Sequence, residues 1–320
     1  MINTVVGSFP LEIKEAKTNK EKLLKTIGLF DPYKNLIEEI VELQFNIGID
    51  IITEGQVRGD MIGLFVKHIP GFTYQRNSSV ITGKILPPTH NITINDVKIA
   101  QNKLNDLLNN SNLTNEQKNK KGIKGIITGP STIIHSSRIE SFYKEKNSAI
   151  LDYAHAIKNE AFSLEKAGCK YIQIDEPFLS TGMVDLNVAK EAISIISEDI
   201  NIPISMHVCG NLKQVFKELT NFKVDILDLE FAGNSDNIIL LKSNKSLLKN
   251  KKLGFGCLDS SSKKLDDENK TRDLIKQGIE IMGEENILLD PDCGLKKLKI
   301  ETATKKLELM VKLNNELSTL

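Results

Sequence analysis

Four side chains in the second half of the chain can hold a metal ion: His207 and Cys209 in SMHVCGN, Glu230 in DLEF, and Cys293 in DPDCGLK. Residues two apart on a strand point to the same face, so His207 and Cys209 aim together while Met206 and Val208 face away. An imidazole, two thiolates and a carboxylate make a donor set suited to Zn²⁺, whose tetrahedral shell accepts nitrogen, sulfur and oxygen. Further polar residues follow short β-branched runs: Gly7 and Ser8, Glu54 and Gln56, Asp175 and Glu176, Asp259, and Asp292. Cys169 and Cys257 are assigned to packing, as small buried hydrophobes. His68, His90, His135 and His155 receive no role, although His135 follows a predicted strand.

The elements that must position these groups are visible as eight β-branched runs, at 3–9, 50–56, 123–128, 170–175, 202–209, 225–231, 252–258 and 286–290. Segments with apolar residues at helical spacing lie between them, as in NLIEEIVELQFNIG, and Gly48 and Gly168 stand where helix C-caps are expected. Eight strands alternating with helices predict an α/β fold, a single (β/α)₈ TIM barrel over residues 1–320, rather than an open doubly wound sheet. No phosphate-cradling G-x-G-x-x-G follows the first run. The one long connection, 57–122, is read as an insertion over the barrel mouth. In such a barrel the chemistry collects at the C-terminal ends of the strands, where the polar residues named above fall.

Charge and composition narrow the function classes. Forty-two basic residues balance forty-two acidic ones, which argues against a nucleic-acid or polybasic membrane-surface protein. No run of about 18 uncharged apolar residues occurs, and the start MINTVVGSFPLEIK lacks a signal-peptide pattern. Four scattered cysteines in 320 residues do not make a disulfide framework. Reduced thiols and a cytoplasmic location are the expectation.

The motifs resemble those of the catalytic C-terminal barrel of the cobalamin-independent methionine synthases, and especially their short archaeal relatives. The matching segments are VVGSFP, GIDIITEGQVRGDM, ITGPSTI, YIQIDEP, SMHVCGN, DLEF, GFGCLDSSS and DPDCGLK, which span essentially the whole chain. The resemblance implies a zinc-dependent methyltransferase that forms methionine from homocysteine, with zinc on His207, Cys209, Glu230 and Cys293. It places homocysteine on Gly7, Ser8 and Asp175, and Asp175 and Glu230 carry the catalytic roles. Backbone N–H groups and a hydroxyl at 7–8 suit the amino-acid carboxylate, and Asp175 suits the ammonium. The family's G-E order on the second strand is reversed here to Glu54-Gly55, which leaves Glu54 or Gln56 as the further substrate contact.

Three family positions are altered. Counted without gaps, the folate-stacking tryptophan falls on Ser136, a folate-contacting glutamate on Thr181 and the proton-donating histidine on Ser261, and the chain has no tryptophan. A folate nitrogen needs a proton as it leaves, whereas a methylcorrinoid leaves as cobalt(I) and needs none. These losses lead to the expectation of a methylcorrinoid donor, either methylcobalamin or a corrinoid protein partner, in place of methyltetrahydrofolate. Two alternatives remain at this point. One is a methylcobamide:coenzyme M-type zinc methyltransferase, which also carries H-x-C-G; the other is a non-catalytic zinc-binding scaffold.

Overall fold

The computed structural model describes residues 1–10, 18–26 and 30–318. Eight parallel strands form its centre: β1 (Ile2–Asn3), β2 (Ile51–Ile52), β3 (Gly122–Thr128), β4 (Tyr171–Asp175), β5 (Ile204–Val208), β6 (Ile226–Glu230), β7 (Lys252–Leu258) and β8 (Ile287–Pro291). Each strand pairs with its sequence neighbours, β8 pairs with β1, and a bridge between Thr4 and Ile51 joins β1 to β2 and closes the ring. The predicted (β/α)₈ barrel is the observed fold, and each of the eight runs read from the sequence overlaps one of its strands, the first only at Asn3 and the second only at Ile51 and Ile52.

The strands hold because both of their faces are covered. Outward residues such as Ile52, Ile127, Ile172, Met206 and Leu227 are fully buried beneath the helices, and each such side chain contributes about 1.5–3 kcal/mol of apolar burial. The helix Pro32–Ile47 shows how the sequence sets its own limits. Asp31 accepts the Tyr33 N–H at 2.9 Å, Pro32 occupies the first turn, and Gly48 ends the helix in the left-handed region at φ 105°.

The long connection divides in two. Its first part carries a short helix, Gly63–Val66, and an antiparallel hairpin, Phe72–Gln75 with Ser78–Ile81, whose second strand pairs with Ser137–Ile139. Its second part, the helix Ile94–Asn109, buries Ile94, Val97, Ala100 and Leu104 in the main core and fills the place of the barrel helix after β2. Only the residues just after β2 reach the mouth. Gly59, Asp60 and Met61 line it, Met61 accepts the Thr128 hydroxyl, and Arg58 ties this turn to Asp96 and Asp31 with bonds of 2.5–3.2 Å. Among the described residues, no helix is long and apolar enough to cross a membrane.

Candidate metal centre and active site

Strand pairing alone brings the chemistry together. Asp175 on β4 is paired in register with His207 on β5, which is paired with Asp228 on β6, so three inward side chains stand in a row. Cys209 continues the inward face of β5, and Cys293 follows the end of β8. The ligand atoms of His207, Cys209 and Cys293 lie within 4.8 Å of one another. The imidazole is buried, with Nδ1 2.9 Å from Asp228 Oδ1, while Nε2 has no hydrogen-bond partner. A buried nitrogen left without a partner beside two thiols is the arrangement a metal ion completes.

The charges fit that reading. The Cys293 thiol is pushed down to about 4, first by the Cys209 thiol that donates to it and then by the His207 charge. Cys209 is pushed upward as the donor of that pair, with burial adding to the effect. The thiolate is the form of cysteine that binds metal, and this pairing favours it at Cys293.

Glu230 lines the same pocket but stands outside the trio. One carboxylate oxygen accepts the Gly210 N–H at 2.7 Å, and the other accepts from Asn234. Gly210, at φ 99°, would bring a Cβ within 2.9 Å of Ser180 Oγ, so a glycine is required where the chain turns away from Cys209.

The residues expected from the sequence to meet substrate lie in or near the same opening. Ser8 and Asp175 line it, and Asp175 is raised to about 6 by burial, against the opposing His207 charge and the Gln173 amide that donates to it at 2.6 Å. Gly7 lies where a side chain would meet Ile126 at 2.7 Å, and its carbonyl accepts the Thr53 hydroxyl. After β2, Gln56 lines the pocket in a left-handed conformation at φ 47°, whereas Glu54 is buried behind it with one carboxyl oxygen unpartnered. Burial raises Glu54 to about 7.

Asp292 stands out in the sequence without a role, and the structure supplies one. It accepts three consecutive N–H groups, those of Phe231, Ala232 and Gly233, at 2.6–3.0 Å, and so binds the loop after β6 to the loop after β8. A Cβ at Gly256 would come within 2.5 Å of it. His135 closes the helix Pro130–His135 beside Lys146 and Phe178, away from the residues that line the pocket. Cys257 is fully buried and Cys169 nearly so, as packing residues should be.

The family model of the cobalamin-independent synthase catalytic domain matches residues 1–316. The chain belongs to the cobalamin-independent methionine synthase family. A methionine synthase from Methanothermobacter thermautotrophicus is 44% identical over 97% of this chain and 98% of its own length. One from Methanocaldococcus jannaschii is 42% identical over 97% of each. The solved B12-independent methionine synthase of Shewanella sp. W3-18-1, in complex with selenomethionine, shares the fold with a TM-score of 0.79 at 18% identity, covering 99% of this chain and 97% of that one.

Family membership makes the protein a methyltransferase of the methionine synthase type and sets aside both the coenzyme M and the scaffold alternatives. It also overturns the expected methylcorrinoid donor and corrinoid partner, because the family matched is the cobalamin-independent one. The expectation rests on three missing side chains and takes their loss as the loss of any acid. That count weighs three positions, whereas the family match extends over residues 1–316.

Proposed function

We propose that the protein forms methionine by methylating the sulfur of homocysteine at a zinc ion held by His207, Cys209 and Cys293, with Glu230 as an exchangeable fourth ligand. The observation that carries this reading is the unpartnered, buried Nε2 of His207 facing two thiols at the base of the pocket. When bound, zinc supplies Lewis acidity that keeps the substrate sulfur as thiolate near neutral pH, where a free thiol of pKa about 8.5 is only a few per cent ionised.

The chain's own groups orient the amino acid. Asp175 takes the ammonium, and the Ser8 hydroxyl with the N–H groups at 7–8 takes the carboxylate, so that the sulfur points toward the base of the pocket. Gln56 is the side chain after β2 that reaches the substrate, with Glu54 supporting it from behind. Glu230 would be the most readily displaced of the residues holding zinc, since a carboxylate is the least thiophilic donor of the four and Glu230 already has two protein partners. The donor compatible with a cobalamin-independent family is of the methyltetrahydrofolate type. A sulfur–carbon bond forms as the nitrogen–methyl bond breaks, and the departing nitrogen takes a proton. A cytoplasmic setting, where Cys209 and Cys293 stay reduced, belongs to the same proposal.

The test is methionine formation from homocysteine and methyltetrahydrofolate by the zinc-loaded protein, followed by mass spectrometry. Product that disappears on chelation and returns with zinc is the expected result. Absence of product, or product undiminished after zinc removal, overturns the proposal.

A further inference from the structure

The barrel interior beneath the thiols is polar, where barrels of this kind normally pack branched apolar side chains. Lys124, Gln173, Asp228 and Asp290 occupy it, all essentially inaccessible to water. Lys124 Nζ donates to Gln173 Oε1 at 2.5 Å, and Gln173 Nε2 donates to the Val6 carbonyl at 2.8 Å and to Asp175. These bonds hold the substrate side of the site. The other half of the floor leads to the metal centre.

Asp228 stands against His207 Nδ1, and Gly254 on β7 makes room for it, since a Cβ there would come within 2.7 Å of Asp228 Cβ. Asp290 lies beyond Asp228. Neither of its carboxyl oxygens has an ordinary donor, and its charged neighbours are the Asp228 carboxylate, Lys124 and His207. Burial and the adjacent Asp228 carboxylate hold Asp290 well above the usual carboxylate range, so that a neutral group stands beside Asp228.

We infer that Asp228, seated against Gly254 and backed by Asp290, is a positioning residue for the metal centre: it accepts the Nδ1 proton of His207 and so fixes the ring with Nε2 toward the metal. A histidine held in this way binds metal in one tautomer and one orientation, and its basicity rises through the carboxylate behind it. The inference rests on the proposed zinc site and adds the groups that prepare it.

The experiment is zinc affinity of the full-length protein, by competition with a chromophoric chelator. Asp228→Ala is expected to weaken zinc binding by about 10- to 100-fold, the range seen for such supporting partners. Asp228→Asn keeps an acceptor oxygen of the same shape and is expected to recover most of that loss. Asp290→Asn, which keeps a neutral group of the same shape beside Asp228, is expected to stay within about twofold of the parent, and Asp290→Ala to lose several-fold. If Asp228→Ala does not fold, the contrast between the two Asp290 variants carries the test. Affinities unchanged in Asp228→Ala and Asp290→Ala, or equal losses for Ala and Asn at 228, overturn the inference. Failure of the parent protein to bind zinc is a separate result that brings down the metal reading itself.

Discussion

The Ser8 carbonyl accepts the Leu295 N–H at 2.8 Å, and between them Gly294 lies so close to Ser8 that a Cβ would strike its hydroxyl. This contact joins the loop after the first barrel strand to the loop after the last, which places the Ser8 hydroxyl, proposed to bind substrate, beside Cys293, proposed to bind the metal. Gly294→Ala therefore forces the two loops apart. The expected outcome is a stability loss of about 1–3 kcal/mol from overpacking, together with a raised KM for homocysteine. Urea unfolding and steady-state kinetics measure both, and an unchanged KM would show that the loop contact does not govern substrate binding.

His207→Ala and Cys293→Ser each remove a donor from the trio. Both variants are expected to purify with little zinc and to lose methyl transfer. Since even supporting residues change metal affinity by about 10- to 100-fold, the loss at a ligand should reach or exceed that range. Zinc content by atomic absorption, read beside circular dichroism to confirm folding, checks this. A folded His207→Ala protein with full zinc content would remove His207 from the ligand set.

Asp175→Asn keeps the shape of the carboxyl and discards its charge. A hydrogen bond to a charged group contributes about 1.5–3 kcal/mol, so KM for homocysteine should rise by roughly 10- to 100-fold with a much smaller change in kcat. A selective fall in kcat instead would mean that Asp175 acts on the reacting atoms and not on the ammonium.

Glu54 gives the pH prediction. Burial raises it from 4.5 to about 7, so between those values the folded protein holds a proton that the unfolded chain has released. The stabilising contribution is present below about 4.5 and lost as pH rises through about 7, a swing of about 3 kcal/mol for a fully buried group. Glu54→Gln, which does not titrate, should gain on the parent as pH increases. Unfolding free energies of the two proteins at pH 5 and pH 8 test this, and an equal difference at both values would contradict it.

Much of this architecture is legible in the sequence because strands and helices leave different periods. Each β-branched run reads as a strand, and the two-residue period on β5 is enough by itself to put His207 and Cys209 on one face. The same period extends to the supporting floor. Asp228 lies two before Glu230, Gln173 two before Asp175 and Asp290 two before Asp292, so each shares the inward face of a recognised residue.

Those positions do not stand out because a buried polar residue on a strand carries no local mark of its partner. The 57–122 segment reads as one unit because its hairpin precedes a helix whose exposed face is rich in asparagine and lysine; only contact with the core shows that Ile94–Asn109 belongs to the barrel wall. The donor is illegible for a different reason. Side chains missing at three counted positions carry less information about the donor than a family match over residues 1–316.

The central claim is that homocysteine sulfur joins Cys209 and Cys293 at a zinc ion on His207. Zinc K-edge X-ray absorption of the zinc-loaded protein, with and without homocysteine, tests it most directly. The account predicts two sulfur neighbours per zinc without substrate, those of Cys209 and Cys293, and one more when homocysteine is added, with the loss of an oxygen neighbour. A sulfur count that does not change when homocysteine binds would contradict it.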